Sequence, residues 1–194
     1  PIAGATSASY TASLGGNYTV VISNSTCSAT SPSLVVTVNP LPAAITGTTT
    51  ACPGTTTMLS SSSSGGSWAS GTTSVATVGS TGIVTGVGLG ISTITYTLPT
   101  GCFTTTIATI NPAPLASVTA GGPLTFCSGG SVALNANPGA GLTYQWRQGG
   151  SNIAGATNIT YNATAAGTYD VVVSNASGCA TTSIPAVTVN VTPG

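Results

Sequence analysis

The chain repeats a stretch of its own sequence. Residues 2–31, which begin IAGATSASYTASLGGNYTVVISNS, align with residues 153–183, which begin IAGATNITYNATAAGTYDVVVSNA. The offset is 151 residues and becomes 152 after one insertion near Gly178. The second copy follows a long run of strand-like sequence, whereas the first copy begins at residue 2. We therefore expect the chain to start in the middle of a domain, so that residues 1–40 form only a C-terminal half.

The residues around the second copy alternate between apolar and polar side chains, as half-buried β-strands do. Five segments show this pattern: SVALNA (131–136), LTYQWRQ (142–148), NITYNA (158–163), GTYDVVVS (167–174) and PAVTVNV (185–191). Turn-rich gaps separate the segments, and strong helix formers cluster in no window. The sequence therefore predicts an all-β protein.

Two proline-rich joints divide the chain, NPLP at 39–42 and NPAP at 111–114. Short stiff linkers between β modules have this composition. We therefore predict a C-terminal half-domain at 1–40, a complete domain at 41–113 and another complete domain at 114–194.

The five cysteines follow the same period. They lie at positions 27, 52, 102, 127 and 179, with steps of 25, 50, 25 and 52 residues. This spacing indicates domains of about 75 residues, each with one disulfide between its early and late parts. We predict the pairs Cys52–Cys102 and Cys127–Cys179, which imply an oxidising compartment. A redox or metal role is not expected, because the sequence has no CxxC motif and no His.

Cys27 has no partner in this scheme, because the early half of its domain is not part of the sequence. One explanation is that the sequence is a window from a longer polypeptide that contains the partner. The other is that a neighbouring copy supplies the missing strands, which would make domain completion in trans a polymerisation mechanism. Both explanations remain open at the level of sequence.

The third domain resembles the Ig-like repeats of very large secreted proteins in Bacteroidetes. The resemblance covers residues 114–191 through YQW, IAGAT, GTYDVVVSN and the following GC, and it covers residues 1–40 as the second half of such a repeat. It implies tandem immunoglobulin-like β-sandwich domains. In that fold Trp146 is the expected core tryptophan and Tyr169 the expected tyrosine corner, with Tyr18 as its copy.

The middle domain resembles a different type, the bacterial Ig-like group 2 modules of invasin- and intimin-like adhesins. The similar strings are GSWAS (66–70), SVATV (74–78) and TGIVTGVGLGISTITYT (81–97). The resemblance implies a β-sandwich spacer on a cell surface or in a secreted protein, without catalytic residues. It implies a core that contains Trp68, Val75, Val78, Ile83, Val84, Ile94 and Tyr96.

Only two of the 194 side chains are charged at neutral pH, Arg147 and Asp170. General acid–base catalysis needs a group that titrates near the working pH. Zinc and calcium sites need clusters of His, Cys or carboxylates, and nucleic-acid binding needs a basic patch. We therefore expect no enzyme activity, no cofactor, no metal site and no nucleic-acid partner. Arg147 and Asp170 are expected to form a surface ion pair between neighbouring strands.

These observations favour a structural extracellular filament or adhesin stalk that self-associates. Near-zero net charge leaves little repulsion between copies, and the strands lack the Lys and Glu that usually block edge-to-edge pairing. The expected partners are other copies of the chain, with surface glycans as a second class. No apolar run approaches the ~18 residues of a membrane span, so this segment is not expected to insert into a membrane. The alternative function is a carbohydrate-binding or spacer region of a giant secreted bacterial protein.

Overall fold

The computed structural model describes residues 1–194 and consists of 21 β-strands without any helix. The strands of residues 1–40 are β1 (Gly16–Tyr18), β2 (Val21–Ser23), β3 (Ser28–Thr30) and β4 (Leu34–Val36). Those of residues 41–113 are β5 (Thr46–Gly47), β6 (Thr50–Ala51), β7 (Thr56–Ser60), β8 (Ser67–Ser70), β9 (Ala76–Val78), β10 (Ile83–Gly86), β11 (Gly90–Thr97) and β12 (Phe103–Ile110). Those of residues 114–194 are β13 (Val118–Ala120), β14 (Thr125–Cys127), β15 (Val132–Ala136), β16 (Thr143–Gln148), β17 (Ser151–Asn152), β18 (Thr160–Ala163), β19 (Gly167–Ser174), β20 (Ala180–Thr182) and β21 (Val187–Thr192). None of the structure could cross a bilayer as a helix.

Each sheet stays within one of the three predicted ranges. The second domain has two four-stranded sheets, ordered β5-β7-β10-β9 and β6-β12-β11-β8. The third domain has a three-stranded sheet, β13-β15-β18, and a six-stranded sheet, β14-β21-β19-β16-β17 with β20 beside β19. Residues 1–40 contain only the strand pairs β1–β4 and β2–β3. The predicted fold class, tandem Ig-like β-sandwiches, is confirmed.

The core of the second domain lies between its two sheets. Leu59 of β7 and Val84 of β10 meet Ile94 of β11 and Ile110 of β12, and all four side chains are almost fully buried. Tyr96 is also buried. Trp68, Val75 and Val78 are half-buried and pack against this cluster.

Ile83 does not belong to this core, contrary to our expectation. Its side chain is 39% exposed, whereas that of Val84 is fully buried. Successive side chains of a strand point to opposite faces of the sheet, so the register that buries Val84 turns Ile83 outward. There it lies opposite Met58 of β7, which is also exposed.

The core of the third domain is built around Trp146 and Tyr169, and both side chains are buried. Leu134, Val171 and Val189 complete the centre of the cluster. The strand alternation predicted from the sequence therefore places the correct side chains between the two sheets.

Candidate functional site at the domain junctions

Cys52 is early in the sequence of the second domain but lies in space beside the point where the chain leaves that domain. The short strand β6 runs parallel to the last strand β12, with Ala51 opposite Ile110, and Asn111 N donates to the Ala51 carbonyl at 2.9 Å. Cys52 then starts a tight turn, in which Thr55 N donates to its carbonyl at 3.0 Å. Gly54 in this turn has a φ of 78°, a conformation that only glycine adopts without strain. The first cysteine of the domain is thereby held beside the point where the chain leaves it.

Cys179 lies at the end of the third domain that faces this exit. It closes the hairpin between β19 and β20, where Asn175 N donates to the Cys179 carbonyl at 3.0 Å. The Asn175 side chain accepts a hydrogen bond from Cys179 N at 3.1 Å and donates one to the Pro112 carbonyl at 2.8 Å. The Cys179 sulfur lies 3.5 Å from the carbonyl oxygen of Asn111. The hairpin therefore rests directly on the joint at 111–114.

A disulfide joins these two cysteines across the joint. Cys52 and Cys179 have a Cα–Cα distance of 5.7 Å and are 127 residues apart in sequence. One belongs to the second domain and the other to the third. The bond therefore links the two modules covalently at a second point beside the polypeptide itself.

The predicted pairings within each domain are wrong for the structure. Cys102 precedes β12 and Cys52 lies beside its far end, so an eight-residue strand, about 25 Å long at ~3.3 Å per residue, separates them. A disulfide requires Cα atoms within about 7 Å. The two ends of one sandwich cannot meet, whereas neighbouring ends of two sandwiches can.

The same reason excludes Cys127–Cys179. Cys127 pairs with Thr192 at the end of β21, whereas Cys179 follows the opposite end of the antiparallel β19. Cys27, Cys102 and Cys127 are free thiols, of which Cys27 and Cys127 are exposed.

The even spacing of the cysteines does not show that they are of two kinds. The sequence contains a signal that separates two kinds. Cys52 and Cys127 precede glycine by two residues, in CPG and CSG, whereas Cys102 and Cys179 directly follow glycine. The first motif starts a turn at the exit of a domain, and the second closes a hairpin at its entrance.

Arg147 and Asp170 lie directly opposite each other in β16 and β19. Arg147 Nε donates to Asp170 Oδ1 at 2.6 Å, and the two side chains are 25% and 13% exposed. The hydrogen bond to Asp170 raises the pKa of Arg147 above its usual value, with burial opposing it. The pair is more covered than the surface pair we expected, and it joins the two central strands of the larger sheet.

The predicted core aromatics differ in burial. Trp146 and Tyr169 are buried, and Trp146 Nε1 donates to the Asn158 carbonyl at 2.9 Å. Trp68 and Tyr18 are only half-buried. Tyr169 Oη donates to the Ala165 carbonyl at 3.0 Å, the contact of a tyrosine corner. Burial raises the pKa of Tyr169 above its usual value, and the nearby Tyr161 adds to this effect.

The structure contains no group of three or more His, Cys, Asp or Glu side chains that could hold a metal ion. The one ion pair is internally satisfied, and no buried side-chain nitrogen or oxygen lacks a hydrogen-bond partner. The disulfide and the free thiols can undergo thiol–disulfide exchange.

Comparison with known proteins found one matching family model. Residues 114–193 match the family described as Ig-like domain CHU_C associated. No curated protein matches the chain by sequence. Among solved structures, murine CEACAM1b is similar with a TM-score of 0.38 and 14% identity, over 76% of this chain and 100% of that one.

Two further solved structures are similar at the same level. Extracellular domains 3–5 of Drosophila OTK have a TM-score of 0.35 and 15% identity, over 92% of this chain and 71% of that one. Domains 1–6 of the surface layer protein SbsC have a TM-score of 0.38 and 12% identity, over 85% of this chain and 30% of that one. The third domain thus matches the CHU_C-associated Ig-like family, and residues 41–113 form a second two-sheet β-sandwich before it.

Proposed function

We propose that the chain forms part of a structural extracellular filament or adhesin stalk, that it associates with other copies of itself, and that it performs no catalysis. The observation that carries this proposal is the Cys52–Cys179 bond across the joint between the second and third domains. A disulfide between two folded modules restricts their relative motion and transmits tension. It also persists in oxidising compartments, which supports an extracellular location.

The joint itself adds stiffness to this covalent link. Prolines at 112 and 114 restrict the backbone of the four-residue linker. The Asn175 side chain holds the hairpin of the third domain on the Pro112 carbonyl. Three restraints therefore act at one junction, as a rod of modules under tension requires.

The outer face of the second domain supports self-association. On the sheet β6-β12-β11-β8, Ile91, Phe103 and Ile107 are each more than half exposed. Threonines lie between them, and the domain contains no charged side chain. An uncharged face with exposed apolar side chains can pack against a second copy without desolvating an ion.

Electron microscopy of the purified chain tests the proposal. We expect fibres that persist in salt and between about pH 5 and pH 9, because almost no group can respond to either. Ile107→Lys should reduce fibre formation, because each contact would bury an unpaired ammonium group. Thr73→Lys is the matched control, since it adds the same charge in the exposed turn before β9. Fibres that dissolve in moderate salt, or that both variants affect equally, would contradict the proposal.

A second candidate function is carbohydrate binding at a cleft of the second domain. The cleft has a volume of about 300 Å³, and Met58, Trp68 and Tyr96 contribute to its lining. The rings of Trp68 and Tyr96 have centroids 4.7 Å apart. Calorimetric titration with a panel of oligosaccharides tests this candidate, and binding that Trp68→Ala abolishes while fibres persist would favour it over self-association alone.

A further inference from the structure

We propose that each of the three free thiols is one half of an inter-module disulfide of the Cys52–Cys179 kind. Each would bond a cysteine of the Ig-like module that is stacked end to end on the module containing it. Every module would carry one cysteine at its exit and one in its entrance hairpin. The exit cysteine of one module would bond the hairpin cysteine of the next. This inference does not depend on filament formation.

Cys102 occupies the entrance position of the second domain. Its hairpin between β11 and β12 is closed by Leu98 N, which donates to the Cys102 carbonyl at 2.9 Å, as Asn175 N does to Cys179. Gly101 has a φ of 86°, close to the 79° of Gly178. The Cys102 sulfur lies 3.7 Å from the carbonyl of Asn39, the first residue of the NPLP joint.

The two junctions therefore share one geometry. In each, a hairpin sulfur lies beside the carbonyl of the asparagine that starts the joint, at 3.7 Å for Cys102 and 3.5 Å for Cys179. At the second junction that sulfur bonds the exit cysteine of the preceding domain. At the first junction the sulfur is in place, but the chain has no exit cysteine for residues 1–40.

Cys127 occupies the exit position of the third domain. Strand β14 runs parallel to the last strand β21 with Cys127 opposite Thr192, and Ser128 N donates to the Thr192 carbonyl at 2.9 Å. Gly130 N donates to the Cys127 carbonyl at 3.0 Å, which closes a turn of the same kind as the turn after Cys52. Cys127 is exposed at this end, as a bond to a following module requires.

Strand register relates the end of the third domain, where Cys127 lies, to the end of the first domain at Asn39. By strand register, residues 187–193 correspond to residues 34–40, one position beyond the 152-residue offset of the repeat, so that Thr192 and Pro193 correspond to Asn39 and Pro40. Matching strand registers support the alignment: Tyr169 pairs with Val187 as Tyr18 pairs with Leu34. A counterpart of Cys127 in the first domain would therefore lie beside Asn39, where the Cys102 sulfur is.

Cys27 is the entrance cysteine of the first domain. It ends the turn between β2 and β3, and the Asn24 side chain accepts a hydrogen bond from Cys27 N at 2.8 Å. Asn175 makes the same contact with Cys179 at 3.1 Å. The expected partner of Cys27 is an exit cysteine like Cys52, on a preceding module.

The chemistry balances with a small-molecule disulfide as the oxidant. Two module thiols form one S–S bond and give up two electrons and two protons. The oxidant is reduced to two small thiols through a mixed-disulfide intermediate. No metal ion is required.

The first test uses the full chain. Free thiols are alkylated under native conditions, and the unreduced protein is digested with pepsin, because the single Arg offers trypsin little to cut. We expect a linked Cys52–Cys179 peptide and alkylated Cys27, Cys102 and Cys127. A Cys52–Cys102 or Cys127–Cys179 peptide would overturn the proposal.

The second test supplies the missing exit cysteine. Residues 114–151 are placed directly before Pro1 of the full chain, which completes the first domain by the internal repeat. The added copy of Cys127 should then bond Cys102 and leave Cys27 alkylated. A bond between the added cysteine and Cys27, or an unbonded added cysteine, would overturn the proposal.

Two variants of the extended chain sharpen this result. Cys102→Ser should leave the added cysteine alkylated, whereas Cys27→Ser should leave its bond to Cys102 intact. If the extended chain lacks the near-ultraviolet signal of a folded domain, Cys179→Ser in the original chain replaces it. In this Cys179→Ser variant, Cys52 and Cys102 should both be alkylated. A bond between Cys52 and Cys102 would refute the proposal that these cysteines bond only between modules.

Discussion

Residues 1–40 and their copy in the third domain have the same local structure but different surroundings. In both, a serine hydroxyl accepts a hydrogen bond from a valine amide at 3.0 Å, Ser31 from Val20 and Ser183 from Val171. The tyrosine corner also recurs, since Tyr18 Oη donates to the Leu14 carbonyl at 2.8 Å. The local backbone arrangement is therefore encoded within the repeated segment itself.

Burial separates the two copies. Val171 is fully buried, whereas its counterpart Val20 is 56% exposed. Val171 packs into a cluster with Leu134 and Trp146, which belong to strands for which the first copy has no counterpart in the chain. The repeated segment can thus keep its hydrogen bonds while its apolar side chains lack a core.

The largest expected difference between the two copies is in the stability lost when Val171 or its counterpart Val20 is replaced by a charged residue. Val171→Asp should destabilise the third domain by about 3–5 kcal/mol, because it buries an unpaired carboxylate. Val20→Asp should have almost no effect on the isolated chain. Urea unfolding followed by tryptophan fluorescence measures the first effect, since Trp146 lies beside Val171. Equal destabilisation by Val20→Asp would show that another chain covers Val20.

The two joints should differ in their resistance to proteolysis. A broad-specificity protease should cut the joint at 39–42 before the joint at 111–114, because only the second is spanned by a disulfide. Reduction with dithiothreitol, or Cys52→Ser, should reduce the difference. Cys102→Ser is the matched control and should leave it unchanged. Equal cleavage of both joints before reduction would contradict the stiffening effect of the bond.

A smaller effect is expected from the ion pair, which only the complete copy contains. Asp170 corresponds to Thr19 in the first copy, and Arg147 has no counterpart before Pro1. Arg147→Ala should cost about 1–2 kcal/mol, because it leaves a largely covered carboxylate without its hydrogen bond. The double variant Arg147→Ala with Asp170→Thr should recover part of this loss in urea unfolding. If the double variant is less stable than Arg147→Ala, the broken ion pair is not the cause of the stability that Arg147→Ala loses.

The smallest effect concerns the tyrosine corner. Tyr169→Phe should destabilise the third domain by about 1 kcal/mol, and Tyr18→Phe should have less effect because its surroundings are open. Because burial raises the pKa of Tyr169, the folded domain holds the phenolic proton more tightly than the unfolded chain does. The resulting stability is complete below about pH 10 and is lost as the pH rises through the folded pKa.

Unfolding measured at several pH values between about 8 and 11 tests whether stability falls with rising pH as expected. The unmodified chain should lose stability above about pH 10 more steeply than Tyr169→Phe does. The same steepness in both chains would exclude Tyr169 as the source.

Much of the strand structure of the third domain could be predicted from its sequence. Alternation identified β15, β16, β18, β19 and β21 within a few residues, because one face of each strand is buried. The resemblance to group 2 modules implied a core position for Ile83, but the run GIVTG contains two adjacent apolar residues, and only the sheet decides which of them faces inward. Periodicity fails where both faces of a strand are apolar.

The disulfide could not be predicted in the same way. Spacing records where cysteines lie along the chain, whereas bonding requires Cα atoms within about 7 Å. Cys52 and Cys102 are 50 residues apart in sequence and lie at opposite ends of one strand. Cys52 and Cys179 are 127 residues apart and lie at one joint.

The sequence by itself determined the all-β class, the internal repeat and the strand segments of the third domain. These follow from local patterns, since alternation and turn residues act over a few neighbouring positions. The tertiary structure alone decided which cysteines meet and which copy of the repeat is buried. Both depend on how separate sheets and domains are placed, and no local pattern of side chains specifies that placement.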